Sequence, residues 1–282
     1  MFTGQDIGQR WWRAAAVVTM AGALTLSGCA KNTESGSGTS AGPTQSTVEV
    51  KPEKVEAIAA GVPEDIKKSG KLVVGVNIPY TPNEFKDEKG KIVGFDVDLM
   101  NAVAATLGLS ADYRESDFAK IIPSIDGGTY NVGMSSFTDT KEREKQVDFV
   151  TYFSAGTQWA QRLGGGIDPN DACGHKVAGQ AGTFQHTDEL PAKSAECEAA
   201  GKEAIEIMPF EGQAEATNAV VLGQAEAFSA DSPVTLDAIN AQKDKIAASG
   251  EAFDVAPYGY ALPKDTDLTK AVQAALQSLI DD

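Results

Sequence analysis

The sequence predicts an α/β protein of two lobes, each a mainly parallel sheet flanked by helices. Three observations predict it. Short β-branched runs alternate with helical stripes from Lys71 to Met134, the same alternation restarts at Lys176 after Gly164-Gly165-Gly166, and the chain ends on an amphipathic stripe beyond a last strand. Alternation of this kind builds βαβ units, whose ligands sit beyond the C-terminal ends of the strands. The loops at Asn77, Phe118 and Ser135 all fall at such ends.

In order, Lys71–Val76 reads as a buried strand, and Pro79 and Pro82 then force a loop. After the turn between Lys86 and Gly90, Ile92-Val93 reads as a short strand that leads into Gly94-Phe95-Asp96-Val97-Asp98-Leu99-Met100. From Val97, apolar residues recur at Met100, Val103, Ala104 and Leu107, a helical spacing that Gly108 is placed to end. Asp96 and Asp98 read as an acidic helix start that complements the backbone dipole. Ala111–Arg114 reads as a strand, Ile121, Ile122 and Ile125 as a helical stripe closed by Gly127-Gly128, and Tyr130–Met134 as a further strand.

The second half follows the same grammar. Strands are predicted at Lys176–Gly179, Ala204–Met208 and Ala225–Ser229, with a helix at Ala214–Leu222. Ser232-Pro233 reads as an N-cap followed by proline in the first turn, opening a helix to Ile239. A return crossing is expected near Phe253–Tyr258. It is followed by a strand at Gly259–Leu262 and a helix carrying Leu268, Val272, Leu276 and Leu279.

The 282 residues, 42% hydrophobic, suffice for two modest domains. Lys and Arg number 24 against 40 Asp and Glu, a net charge of -16, so nucleic acid and anionic membrane are poor partners for the body. Arg10 and Arg13 precede an apolar run from Ala14 to Leu26, in the order of an export signal and too short to span a bilayer comfortably. Leu26-Ser27-Gly28-Cys29 is similar to a bacterial lipobox, with Cys29 as the acylated residue that tethers the mature chain. Residues 30–54 are dominated at first by Ser, Thr and Gly and read as a flexible linker.

Beyond Cys29, Cys173 and Cys197 remain as an even pair in an exported chain, and a disulfide is expected. Metal binding through Cys173, His175 and Cys197 is the sharper alternative, but Cys-x-His lacks a spaced partner pair.

By themselves, Thr138-Asp139-Thr140-Lys141-Glu142-Arg143 offer hydroxyls, backbone donors and a guanidinium beside an expected helix N-terminus, a set that can hold a carboxylate. Arg143 reads equally as one charge of a solvated face, and Asp231 as a helix cap beside Ser232. Six segments decide the comparison: Asn77 to Phe85 with Tyr80 at its centre, Gly94 to Leu99, Asp117-Phe118 with Ile121-Ile122-Pro123, Thr138 to Phe149, Gln180-Ala181-Gly182-Thr183, and Ala230-Asp231-Ser232-Pro233. In this order they resemble the family 3 extracytoplasmic solute-binding proteins, the amino-acid receptors of ABC importers. The likeness covers residues 55–282.

That resemblance implies a two-lobed periplasmic-binding-protein-like fold of type II with two hinge crossings. Lobe 1 is expected over residues 55–162, lobe 2 over 163–254, and a return to lobe 1 over 255–282. It implies Arg143 as a two-pronged clamp on an α-carboxylate, helped by Thr138 and by backbone N–H groups near Ser136 and Thr183. Asp231 is implied to accept from the α-ammonium group, Tyr80 and Phe118 to sandwich the ligand side chain, and Ser135 and Ser136 to line the site. Selectivity is implied to lie with Asn77 and Gln180, whose neutral amides favour a polar uncharged amino acid such as glutamine or asparagine. Phe184 stands where relatives carry a small residue, and relatives continue for a further helical segment past Asp282.

The expected protein is thus a monomeric, lipid-anchored receptor on the outer face of the bacterial cell membrane. It hands an amino acid to ABC permease subunits, with no cofactor, metal or nucleic acid. A dehydratase acting on a prephenate-like or arogenate-like acid is the competing class on this architecture, and a sensory receptor is a third. No carboxylate or histidine is assigned as an acid or base over the ligand, and His175 and His186 read as surface residues.

Overall fold

In the computed structural model, which describes residues 52–281, the chain folds as two α/β lobes. The export signal, Cys29, the linker as far as residue 51, and Asp282 lie outside the described residues. Two short helices, α1 (Glu56–Ala59) and α2 (Glu64–Ser69), precede β1 (Lys71–Val76). A small ribbon of β2 (Phe85–Lys86) and β3 (Ile92–Val93) feeds α3 (Phe95–Thr106), and β4 (Ser110–Glu115), α4 (Phe118–Asp126) and β5 (Val132–Thr138) complete two βαβ units. β4 and β5 flank β1, both in parallel.

The second lobe contains β7 (Lys176–Gln180), α5 (Leu190–Ala199), β8 (Glu206–Phe210), α6 (Gln213–Val221), β9 (Ala227–Asp231) and α7 (Ser232–Ala241), with β8 and β9 parallel to β7 on either side. Two long strands join the lobes: β6 (Val147–Arg162), and β10 (Ile246–Pro263), which precedes the final helix α8 (Asp267–Asp281). β6 and β10 pair antiparallel along nearly their whole length, β10 bonds β5 in the first lobe, and β6 bonds β9 in the second. The strand order is therefore β4-β1-β5-β10-β6-β9-β7-β8. The boundary expected at residue 162 falls at the end of β6, although Thr157–Gln161 already pair with β9.

Packing explains why each lobe holds together. In lobe 1, Val74 and Val132 of the sheet bury one face against Met100 and Val103 of α3 and Val272 and Leu276 of α8. On the other face Ile121 and Ile125 of α4 pack with Phe137 and Ala261. β5 is buried along its whole length, apolar at Val132, Met134 and Phe137 and polar at Ser135, Ser136 and Thr138 toward its C-terminal end. In lobe 2, Ala178 and Phe228 meet Ala216 and Val220 of α6, while Val177 and Trp159 meet Leu190 and Cys197 of α5.

The expected disulfide is present between Cys173 and Cys197, so those sulfurs are not metal ligands. It ties the start of lobe 2 to α5. By loop-closure entropy a bridge across 24 residues of separation contributes on the order of 3 kcal/mol.

Behind α5, the Trp159 indole donates to Glu189 Oε1 at 3.1 Å and the Ser229 hydroxyl to Oε2 at 2.8 Å. Burial nevertheless pushes the Glu189 carboxyl up to about 7. The folded protein thus keeps a proton there that the unfolded chain releases near its ordinary value of 4.5. Stability then falls as pH rises from about 4.5 to about 7, by on the order of 3 kcal/mol from this group. Urea midpoints at pH 5 and pH 8 test this: Glu189→Gln is expected to make the decline shallower, and an unaltered slope contradicts the assignment.

Candidate functional site

The C-terminal ends of β1, β5, β7 and β9 converge on one narrow cavity between the lobes. Its walls include all ten residues expected from the sequence: Asn77, Tyr80, Phe118, Ser135, Ser136, Thr138 and Arg143 from the first lobe, and Gln180, Thr183 and Asp231 from the second. Phe184 and Gln185 complete the lining. Phe184 therefore faces the cavity and narrows it.

Arg143 departs from the expected local structure. No helix begins beside it; Arg143–Lys145 form a single 3₁₀ turn that runs into β6. Its guanidinium is positioned instead by two carbonyls, Thr138 O at 2.7 Å and Gly182 O at 2.9 Å. It also lies over the Phe118 and Phe137 rings, 5.5 and 5.6 Å from their centroids. Those two rings stack on each other at 4.5 Å. Two of its five N–H donors are so engaged, one on each terminal nitrogen, which leaves three to meet a carboxylate. Burial pulls the guanidinium's pKa down, and the field of Asp231 pushes it back up.

Asp231 also departs from expectation. Helix α7 begins at Ser232, so Asp231 and not Ser232 holds the cap position, yet its carboxylate makes no capping bond. It turns into the cavity, where it accepts from the Tyr80 hydroxyl at 2.7 Å and from Gln185 Nε2 at 2.8 Å. Helix capping therefore does not account for this acid. Burial raises its pKa, while the bonds from Tyr80 and Gln185 and the charge of Arg143 lower it. Opposite charges from opposite lobes thus share one water-poor chamber without pairing with each other.

The amides of Asn77 and Gln180 meet across the cleft. Gln180 Nε2 donates to Asn77 Oδ1 at 2.7 Å, and Asn77 Nδ2 donates to Ser116 O at 2.8 Å. Gln180 Oε1 is buried without a partner, an acceptor left for a donor-bearing ligand. With Tyr80–Asp231 and Arg143–Gly182, this makes three hydrogen bonds across the cleft among the described residues, so the chamber is closed.

The backbone donors expected near Ser136 and Thr183 are already engaged. Ser136 N–H donates to Asp96 Oδ2 at 3.2 Å, and Thr183 N–H to Gln180 O at 3.3 Å. Asp96, expected as part of an acidic helix start, is fully buried. Sequence reasoning also missed Gln185. It lies in a π-helical turn, Gln185–Glu189, where neither 3.6- nor 2-residue periodicity marks the inward face. Among the described residues no group of three His, Cys, Asp or Glu could hold a metal, and no helix is long and apolar enough to cross a membrane.

With the geometry in place, comparison with known proteins assigns the lineage. Residues 72–282 match the bacterial extracellular solute-binding proteins, family 3. The chain belongs to that family. Relatives include the arginine-binding protein ArgT of Corynebacterium glutamicum, 41% identical over 270 residues, covering 95% of this chain and 87% of that protein. The glutamine-binding protein GlnH of Bacillus subtilis is 28% identical over 227 residues, covering 77% of this chain and 79% of that one. Among solved structures, an ancestral arginine-binding protein bound to arginine superposes with a TM-score of 0.70 at 32% identity, covering 76% of this chain and 93% of that one. As a family 3 solute-binding protein, the chain is an extracellular amino-acid-binding component of an ABC transporter and not an enzyme.

Proposed function

We propose that the protein captures arginine outside the cell membrane and delivers it to its ABC permease. The observation that carries this reading is the chamber itself: Arg143 and Asp231, from opposite lobes, stand ready for the carboxylate and ammonium ends of one zwitterion. The closed form makes both sets of contacts and an open form cannot, so ligand binding favours closure about β6 and β10. Arginine is preferred as the side chain for two reasons. A relative similar over nearly the whole chain is an arginine-binding protein, and the unpartnered Gln180 Oε1 beside Asn77 Oδ1 suits a guanidinium rich in donors.

Glutamine is the second reading. The two neutral amides favour it, and a glutamine-binding relative and an ancestral arginine-binding protein bound to glutamine support it. Acylation of Cys29 would hold the receptor, as a monomer, at the membrane surface.

A thermal-shift screen of the twenty amino acids tests the function, because a ligand specific for the folded state raises the melting temperature by mass action. Arginine is expected to give the largest rise, with glutamine behind it. A largest rise from an acidic or apolar amino acid rejects both readings. Prolonged incubation with arogenate or prephenate is expected to leave either acid unchanged.

A further inference from the structure

Behind the cavity wall lies a second acidic group that the zwitterion clamp does not use. Glu84, at the edge of the β2 ribbon, and Asp96, in the first turn of α3, are both fully buried. Each lies close enough to shift the titration of the other. Both also approach one hydroxyl: Ser136 Oγ is 3.0 Å from Asp96 Oδ2 and 3.5 Å from Glu84 Oε2. That hydroxyl has one proton and cannot serve both acids. Ser135 Oγ donates to Glu84 Oε1 at 2.8 Å, and Tyr152 donates to Asp96 Oδ2 at 2.7 Å. Asp96 Oδ1 is buried with no donor. Neither acid is bonded to a lysine, arginine or histidine among the described residues; the titratable groups facing them are Tyr152 of β6, Tyr113 of β4, Tyr258 and Tyr260 of β10 and, toward the cavity, Tyr80 and Asp231.

Two bare carboxylates gathered on one hydroxyl, buried and without a cation, repel each other strongly. One proton removes the conflict. Carried by Glu84 and aimed at Asp96 Oδ1, it supplies the missing donor and leaves a single negative charge. Burial, first, and the neighbouring Asp96 push the Glu84 carboxyl well above its ordinary range, while burial pushes Asp96 only to about 6. The remaining charge is not idle. Ser135 donates to Glu84 and Ser136 to Asp96, so both hydroxyl protons point away from the cavity; each oxygen already accepts once, from Asn77 N–H and Asn83 Nδ2 respectively, and keeps one lone pair for a ligand. Ser136 is also held at φ 52°, a left-handed conformation uncommon for serine, by the bonds of its N–H and hydroxyl to Asp96.

We propose that Glu84 and Asp96 share one proton and hold one buried negative charge behind Ser135 and Ser136, which makes that wall a subsite for a cationic ligand side chain. The inference rests on the arginine reading and deepens it. Asp231 balances Arg143 within the chamber, so the acid pair supplies the net charge that a guanidinium meets and an amide does not. Glu84 and Asp96 act as positioning residues, through the two serines.

Two measurements test it. At pH 7, the infrared difference spectrum of parent minus Glu84→Gln is expected to show the carbonyl stretch of a protonated carboxylic acid, the contribution of Glu189 cancelling because both proteins carry it; a difference spectrum without that band overturns the shared proton. Calorimetric affinities for arginine and glutamine then report the charge. Both ligands have the same α-groups, so effects on Arg143 and Asp231 cancel in the ratio. A charge one hydroxyl from the cavity is expected to favour arginine roughly 10- to 100-fold. Asp96→Asn should remove most of that preference, as should lowering the parent from pH 8 to pH 5, through the value of about 6 for Asp96. The pH arm decides the matter if the variant does not fold. An arginine-to-glutamine ratio that survives both changes overturns this inference alone, whereas a parent that does not bind arginine overturns the arginine reading with it.

Discussion

Arg143→Ala is expected to abolish the arginine-induced thermal shift at ligand concentrations that saturate the parent. The side chain does three things at once. It offers a planar fork to the carboxylate, donates across the cleft to Gly182 O, and caps the Phe118–Phe137 stack. Truncating it leaves the ligand's carboxylate buried and unpaired, which costs about 2–5 kcal/mol of affinity. That corresponds to roughly 30- to 5,000-fold in Kd. The loss should fall on affinity and not on folding, because Arg143 sits on a single turn at the cleft rather than in either lobe's core. Arg143→Lys is expected to fall between parent and Ala: it keeps the charge but not the fork. Calorimetry with arginine checks both variants, and an Arg143→Ala affinity within threefold of the parent removes the clamp from the mechanism.

The second large effect is on stability, at Gly94→Ala. Gly94 has φ 130°, and a Cβ there would lie 2.1 Å from the Asn83 carbonyl oxygen and 2.6 Å from its carbon. Those are backbone atoms and cannot swing aside. The same carbonyl accepts from Asp96 N–H at 3.1 Å, so the clash separates the Asn83–Glu84 segment from the start of α3. Backbone strain and overpacking together cost about 2–5 kcal/mol, or roughly 5–15 °C in Tm for a body of this size. Gly90→Ala is the control. It also has positive φ, at 77°, but nothing lies within 4 Å of its added carbon, and it is expected to lose only about 1 kcal/mol. Equal losses at the two glycines, measured by thermal unfolding, contradict the steric account.

The difference between these two glycines cannot be read from the sequence. Both appear there as turn residues beside a charged or aromatic neighbour, and only the fold brings Asn83 against one of them. The same distinction runs through the site. Arg143 and Asp231 carry their chemistry in their side-chain type and were legible as candidates, but a solvated face and a helix cap explained them as well until the coordinates turned both into one chamber.

The sequence by itself determined the element types and their order, because β-branched runs, helical stripes and turn glycines act over a few residues: β1, α3, α4 and β7 lie where local pattern places them. It also determined the chemistry available to a ligand and, through family likeness, the segments that carry it. Tertiary structure decided what depends on distant partners. β6 and β10 are long because each pairs with the other through both lobes, while local pattern marked only a short strand near Gly259. Asp96 resembles any acid at a helix start until packing encloses it with Glu84, since burial and charge proximity are properties of the assembled body and not of a helix's first turn.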